Sequence, residues 1–377
     1  MENVQPIVSL FFAISLLYFF FNLYLLSHSE PLKHSLSELP NISVLVAFRN
    51  EEQNLLACCG ALDTLDYPNE KLEILLINDQ SEDNSRQIVS EFISDKSQFK
   101  LVDIIEEKYN LAGKINALAQ AIQQTSNEYI FVTDADCQPQ PGWIKTLLQY
   151  YTESTGLISG FTILEKPQPS YLDRLQKRDM IFLQGLAHIT SNAHRPVTVL
   201  GNNFTFRRSV YDQIGGFEKI GFSITEDHAL MKKILDETDF SVLYIRDKDG
   251  PVISAPEETF DQFLNQRIRW MIGGLKARPF AFFLVGLSFI VHSWMTIMVI
   301  TNHLDIFTAT AIGLILGLDY FMLKKSVRHF RFRLTPFQFL QFEMFYIIYT
   351  HILILILPFK RNIQWKGRKF SRRKNGL

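Results

Sequence analysis

Two pairs of carboxylates in this 377-residue chain have a spacing that suits chemistry. Asp134 and Asp136 flank one residue directly after an apolar run, whereas Glu226 and Asp227 are adjacent. Carboxylate oxygens are hard ligands that suit Mg²⁺ or Mn²⁺, and an ion held there can screen the charges of a diphosphate. A carboxylate can also take a proton from a hydroxyl as a new bond forms, and Asp227 is the best candidate. Each pair alone also fits a structural role, as a solvated turn or as the start of a helix capped by Thr225.

A basic and aromatic cluster lies at residues 266–270, which read Gln-Arg-Ile-Arg-Trp. An arginine can grip phosphate oxygens with its planar fork, and an indole face can stack on a sugar or acceptor skeleton. The same composition also fits an anchor at a membrane interface. Both interpretations can hold, with Arg269 and Trp270 serving a site while Arg267 faces lipid headgroups.

The elements that must position these residues follow an alternating α/β pattern. Apolar β-rich runs predict strands at residues 42–48, 72–77, 101–105 and 129–133, with helices predicted between them. This alternation predicts a largely parallel sheet covered by helices on both faces, in which ligands bind outside the carboxyl ends of the strands. Asp79 and Asp134 each follow a predicted strand, so we expect them at one crevice.

Membrane-length apolar segments flank this domain. Residues 7–26 carry no charge and are about as long as a hydrocarbon core requires. No basic residue precedes them and they offer no small-residue cleavage site, so a membrane anchor is favoured over a signal peptide. Apolar segments resume near residue 280. The predicted organisation is an N-terminal anchor (1–30), a catalytic domain (40–276), C-terminal membrane segments (279–359) and a basic tail (360–377).

Overall composition adds few constraints on function. The formal net charge of −1 gives no reason to expect a nucleic-acid partner. The three cysteines, Cys58, Cys59 and Cys137, have none of the paired spacings of a zinc site, and we expect them to be reduced bystanders.

The polar clusters, taken in order along the chain, resemble those of membrane-anchored family 2 glycosyltransferases. They are Asp79, the Asp-x-Asp of residues 134–136, the Glu-Asp of 226–227 and the Gln-x-x-Arg-Trp of 266–270. The resemblance covers about residues 40–270. It implies a GT-A fold, which is Rossmann-like with a mostly parallel sheet, and an inverting transfer in one displacement.

The resemblance also implies roles for single residues. Asp227 matches the catalytic base, which Glu226 would hold and polarise, while His228 is a rival by residue type. Asp136 would bind the metal, and Asp134 would be shared between metal and nucleotide. The remaining nucleotide-sugar contacts would come from Glu51, Asp79, Lys114 and Arg269, and the acceptor contacts from Gln266, Trp270 and Asn202. Lys114 fits an ordinary surface lysine equally well.

The implied reaction moves a sugar from a nucleotide-sugar donor to a hydroxyl or phosphate of a lipid-linked acceptor, giving a glycolipid. Among donors, UDP-sugars are the first expectation and GDP-mannose is the second. A processive polysaccharide synthase is the alternative. The short chain and its few C-terminal membrane segments favour single transfer. From a different class, a non-catalytic membrane scaffold that binds nucleotide sugar remains open, and product analysis separates these functions.

Location and topology follow from the donor and from charge. Activated sugars are cytosolic, so we expect an integral protein of the plasma or inner membrane, serving the cell envelope, with a cytoplasmic catalytic domain. The basic stretches at 324–333 and 360–374 both favour the cytoplasm. The segment 337–357 between them is therefore predicted to be re-entrant or interfacial, unless the tail is external.

Overall fold

The computed structural model of this chain describes residues 5–360, 362–365 and 368–371, the last two ranges by their backbone alone. The part of the tail beyond residue 371 and the pair Lys366 and Gly367 lie outside the described residues. The predicted α/β domain is confirmed. Its strands are β1 (Ile42–Phe48), β2 (Leu72–Asn78), β3 (Phe99–Asp103), β4 (Tyr129–Asp134), β5 (Cys137–Pro139), β6 (Thr155–Gly160), β7 (Thr162–Leu164), β8 (Phe204–Arg207), β9 (Ser241–Ile245) and β10 (Val252–Ser254), with a hairpin of β11 (Asn362–Trp365) and β12 (Arg368–Ser371) in the tail.

A seven-stranded sheet forms the centre of the domain. Its strand order is β3-β2-β1-β4-β8-β6-β9, and only β8 runs antiparallel to its neighbours. A small second sheet has the order β5-β10-β7. The helices are α1 (Gln5–Leu26), α2 (Leu55–Asp63), α3 (Ser85–Phe92), α4 (Lys114–Ile122), α5 (Trp143–Leu148), α6 (Tyr171–Asn192), α7 (Arg208–Gln213), α8 (Gly216–Ile220), α9 (Glu226–Glu237), α10 (Phe260–Gly274), α11 (Pro279–Ile300), α12 (Ile306–His329) and α13 (Pro336–Ile356).

Apolar side chains on both faces hold the sheet between two helical layers. Along β1, Leu45 packs in the core with α4 and α9, whereas Val44 and Val46 pack in the core with α2 and α5. Successive side chains of a strand point to opposite faces, so a strand buried on both faces is apolar along its whole length. The three cysteines are free and buried, as expected of bystanders.

Four helices of the described chain are long and apolar enough to cross a membrane: α1, α11, α12 and α13 with the turn that follows it. They pack with α6 in one apolar core, in which Phe182 of α6 contacts Phe342 and Tyr346 of α13 at ring-centroid distances of 5.3 and 5.5 Å. The helix α6 therefore joins the α/β domain to the apolar helices.

The helix α13 lies against helices of the α/β domain along its length. Tyr349 donates a hydrogen bond to Asp179 of α6 at 2.6 Å, and beyond the helix end Lys360 donates to Asn265 of α10 at 3.2 Å. An interfacial or re-entrant helix would make such contacts. The position of α13 relative to the bilayer stays a prediction.

We predict that Arg331, before α13, and Lys360, after it, lie on the same side of the membrane. In sealed vesicles of known orientation, a membrane-impermeant maleimide should label Arg331→Cys and Lys360→Cys from the cytoplasmic side only. Asn302→Cys, in the loop between α11 and α12, should be labelled from the opposite side. The native cysteines are buried and give little background. Labelling of Arg331→Cys and Lys360→Cys from opposite sides would show that α13 crosses fully.

Candidate active site

The ends of β1 and β2 form one side of a crevice, as the sheet pattern predicts. The amide of Asp79 donates to the carbonyl of Phe48 at 2.9 Å, so the two strand ends are joined directly. Arg49 donates to the carbonyls of Asp79 and Gln80 at 3.0 and 2.6 Å. Gln80 has a φ of +59°, which turns the chain sharply after the strand. Asp79 is thus buried in a loop that these hydrogen bonds hold in place.

Glu51 lies in the adjoining loop after β1 and is also buried. Its amide donates to Ser85 Oγ at 2.8 Å, and its carboxylate accepts from Asn54 Nδ2 at 2.7 Å. These bonds fix the loop after β1 against the start of α3. Both predicted nucleotide-contacting acids therefore lie on a preorganised part of the crevice.

Lys114 lies at the centre of the other side of the crevice. Its Nζ lies 2.5 Å from Asp134 Oδ1 and 2.7 Å from Glu226 Oε1, and it donates to the carbonyl of Gly201 at 3.1 Å. Only 9% of its side chain is exposed, so Lys114 is not an ordinary surface lysine. It joins the metal-ligand candidate on β4 to the catalytic candidates on α9.

The charges of this cluster shift the ionisation of its members. Burial opposes the charge of Lys114, but the carboxylates of Asp134 and Glu226 outweigh it and raise its pKa. Burial and the neighbouring carboxylate of Glu226 raise the pKa of Asp227 to about 7, with Lys114 opposing. Asp227 therefore changes protonation near neutral pH, where a general base works best. Burial lowers the pKa of the rival base, His228.

The start of α9 corrects one prediction. Thr225 occupies the position before the helix, but its side chain does not cap it, and Oγ1 has no hydrogen-bond partner in the part of the chain that the structure describes. Helix α10 packs onto this point at Gly273, where an added Cβ would come 2.2 Å from Thr225 Oγ1. The close approach of α10 takes the place of the expected cap and holds Glu226 and Asp227 at the crevice.

Asp134 and Asp136 form a donor set that fits a hard divalent ion. The possible ligand atoms of Asp134, Asp136 and Cys137 lie within 4.8 Å of one another. Burial raises the pKa of the Cys137 thiol, which donates to Asp136 Oδ1 at 3.4 Å. A protonated thiol is a poor ligand, so the two carboxylates are the groups that would hold such an ion. Carboxylate oxygens completed by diphosphate or water oxygens suit Mg²⁺ or Mn²⁺.

The basic and aromatic cluster of residues 266–270 lies on α10, and the prediction for Arg267 was wrong. Arg267 was expected to face lipid headgroups, but its side chain is 4% exposed and pairs with fully buried Asp179 at 2.6 Å. Its guanidinium also stacks over Trp270, 4.2 Å from the ring centroid. A buried carboxylate needs a charge partner, and Arg267 is that partner. Gln266 donates to Glu257 Oε1 at 2.7 Å.

Asn202 has its side chain engaged by protein groups. Its oxygen accepts from Thr162 Oγ1 at 2.8 Å, and its nitrogen donates to Cys137 Sγ at 3.5 Å. These bonds tie the segment before β8 to β7 and β5 of the small second sheet. Asn202 borders the crevice, and its contact with an acceptor stays a prediction.

One cavity of about 1250 Å³ connects these parts. At one end it borders the acids of the crevice, and at the other it borders side chains of α11 and α13, such as Val285 and Leu353. All the candidate residues line it: Glu51, Asp79, Lys114, Asp134, Asp136, Asn202, Glu226, Asp227, Gln266, Arg269 and Trp270. Sequence reasoning missed its apolar end, because residues 279–359 were assigned to the bilayer alone.

Comparisons with known proteins show what the chain is similar to. The model of glycosyl transferase family 21 matches residues 7–377. The probable glycosyltransferase YdaM of Bacillus subtilis (strain 168) is 28% identical over 245 residues, which cover 64% of this chain and 57% of YdaM. A poly-beta-1,6-N-acetyl-D-glucosamine synthase of Staphylococcus epidermidis is 27% identical over 276 residues, covering 71% of this chain and 63% of the synthase. The chain thus spans about three fifths of these relatives.

Among solved structures, the mannosyltransferase PcManGT from Pyrobaculum calidifontis, in complex with GDP-Man and Mn²⁺, has a TM-score of 0.62. It is 16% identical, and the match covers 95% of this chain and 98% of PcManGT. This likeness shows the fold. The predicted GT-A fold and the predicted glycosyltransferase resemblance are confirmed.

We predict that Lys114→Met destabilises the protein, because it leaves Asp134 and Glu226 without their shared cation. The expected cost is about 2–3 kcal/mol, below the loss for a fully buried pair because Asp134 is 36% exposed. A lower midpoint of thermal unfolding in detergent checks it. Lys145→Met removes an exposed pair with Asp66 and should change the midpoint little. Equal midpoints for Lys114→Met and the unsubstituted protein would contradict the structural role of Lys114.

Proposed function

We propose that this chain, which belongs to glycosyl transferase family 21, is an enzyme that acts at the membrane surface. The enzyme transfers a sugar from a nucleotide-sugar donor to a hydroxyl or phosphate of a lipid-linked acceptor. The observation that carries the proposal is the single cavity, which has buried acids at one end and apolar side chains of α11 and α13 at the other. A polar donor and an apolar acceptor can reach it from opposite ends.

The donor would bind at the ends of β1, β2 and β4. Asp79 and Glu51 would contact the nucleoside, and Asp134 and Asp136 would hold Mg²⁺ or Mn²⁺ at the diphosphate. When bound, the ion would offset the negative charge of the leaving nucleoside diphosphate. Arg269, which lines the cavity, would add a cation on the phosphate side. A UDP-sugar is the first donor to test and GDP-mannose the second, since PcManGT was solved with GDP-Man.

Asp227 would act as the general base. The acceptor oxygen forms a bond to the anomeric carbon while the bond from that carbon to the diphosphate oxygen breaks, and the acceptor proton goes to Asp227. A pKa near 7 lets the carboxylate take this proton at neutral pH. Glu226 would position Lys114 and raise the proton affinity of Asp227. The displacement inverts the sugar and needs no covalent sugar-enzyme intermediate.

The acceptor would lie along α10 toward the apolar helices. Trp270 would stack on its skeleton, with Gln266 beside it, while its apolar part would contact α11 and α13. A processive polysaccharide synthase is the second candidate, because the Staphylococcus epidermidis relative is a poly-beta-1,6-N-acetyl-D-glucosamine synthase. A non-catalytic scaffold is the third, and metal-dependent turnover of a nucleotide sugar would exclude it.

We further propose that the protein is integral to a plasma or inner membrane with its catalytic domain in the cytoplasm. Four helices suited to membranes flank or follow the domain among the residues described. The donor end of the cavity must then face the cytosol, where activated sugars are made. A lipid product would serve the cell envelope.

We predict that Asp227→Asn lowers transfer about a thousandfold, in the range for loss of a general base, while donor binding persists. For the unsubstituted enzyme, kcat/KM should rise with pH and level off above about 7, because Asp227 must be ionised. The measurement uses membranes containing the protein, a panel of radiolabelled nucleotide sugars with and without Mn²⁺, and separation of lipid extract from polymer.

The matched control is Asp236→Asn, an exposed acid on the same helix, which should keep full activity. Label in the lipid extract supports a lipid acceptor, whereas label only in polymer supports the synthase. Full transfer by Asp227→Asn would exclude Asp227 as the base.

We predict that Val285→Trp blocks the acceptor but not the donor. Val285 lines the cavity on α11, and a larger side chain there should narrow the apolar end. Transfer to lipid should fall roughly tenfold or more, while metal-dependent hydrolysis of the donor persists. Val299→Trp, at an exposed position on the same helix away from the cavity, is the control. An unchanged acceptor KM in Val285→Trp would contradict this path.

A further inference from the structure

Three ionisable side chains from separate apolar helices meet beneath the cavity. His292 Nε2 of α11 lies 3.0 Å from Asp319 Oδ2 of α12 and 3.1 Å from Glu343 Oε1 of α13. Each side chain is at most 4% exposed. Ionisable groups inside apolar bundles are costly, so such a cluster needs a physical explanation.

The hydrogen bonds around the cluster show which atoms lack a donor. His292 Nδ1 lies 2.6 Å from the carbonyl oxygen of Ser288, which only accepts, so Nδ1 carries the ring proton. Nε2 of the neutral ring then presents a lone pair to two carboxylate oxygens. The other oxygen of Asp319 accepts from Tyr18 of α1 at 2.7 Å. Glu343 Oε1 has no hydrogen-bond partner among the described residues.

One added proton does not satisfy this arrangement. An N–H at Nε2 can complete the bond to Asp319, but it leaves the oxygen of Glu343 unbonded and a net charge of −1 in apolar surroundings. Charge balance needs either a second proton, on Glu343, or a divalent cation, and only the cation accepts all three lone pairs at once. Ligands about 2.0–2.2 Å from a tetrahedral zinc ion lie roughly 3.4 Å apart, close to the distances seen here.

We propose that His292, Asp319 and Glu343 bind a divalent transition-metal ion, for which Zn²⁺ is the probe. The ring N–H held by a backbone carbonyl, and the Asp319 oxygen held by Tyr18, are the supporting contacts usual for metal ligands. An imidazole ligand favours a transition metal over the all-oxygen sites of Mg²⁺. The ion joins α11, α12 and α13, with α1 attached through Tyr18, and fixes the wall of the cavity at His292.

The test is the zinc content of the full-length protein purified in detergent without chelator. The unsubstituted protein and the double variant Asp134→Asn with Asp136→Asn should each keep about one equivalent of zinc. His292→Gln and Glu343→Gln should lose it, with affinity falling at least about tenfold. His303→Gln, in the loop after α11, is the matched control and should keep its zinc.

A second measurement tests the proposal even if the substituted proteins fail to fold. Unsubstituted protein stripped by a chelator should regain thermal stability when Zn²⁺ is added back, and the double aspartate variant should regain it equally. Any of three results would overturn the proposal. They are no bound zinc after Zn²⁺ is supplied, no gain in thermal stability on adding Zn²⁺, and loss of zinc only in the double aspartate variant.

Discussion

The ion cluster around Lys114 is the interaction on which the rest of the site depends. One buried ammonium pairs with an acid at the end of β4 and an acid at the start of α9, and it donates to the carbonyl of Gly201. Carboxylates buried together repel one another and would protonate or move apart without a cation. Lys114 therefore keeps Asp134 at the end of β4 and the acids at the start of α9 at a fixed separation.

The same cluster explains why Asp227 is suited to take a proton. Burial and Glu226 raise its pKa to about 7, while Lys114 limits the increase. Glu226 has two effects: it pairs with Lys114 directly and disfavours the charge of its neighbour. The fold thus pairs Glu226 with the cation directly, whereas Asp227 feels that cation at longer range.

The sequence predicted those features that depend on local pattern. Apolar runs located the central strands, and the rule for parallel sheets brought Asp79 and Asp134 to one crevice. Features that depend on distant partners were not predictable. Arg267 was placed at the lipid headgroups because its partner, Asp179, lies 88 residues away. Nothing local in the segment 337–357, which was predicted to be re-entrant or interfacial, indicates that its Glu343 faces His292 of another helix.

Helix α10 connects the candidate site residues of the cavity with the apolar helix α13. Gln266, Arg269 and Trp270 have the i, i+3, i+4 spacing that places side chains on one helical face, and all three line the cavity. Arg267 binds the buried carboxylate of Asp179, which also accepts from Tyr349 of α13. The motif therefore has two tasks: it lines the cavity and fixes α10 against α13. A change at Arg267 would therefore alter the cavity through the position of α10.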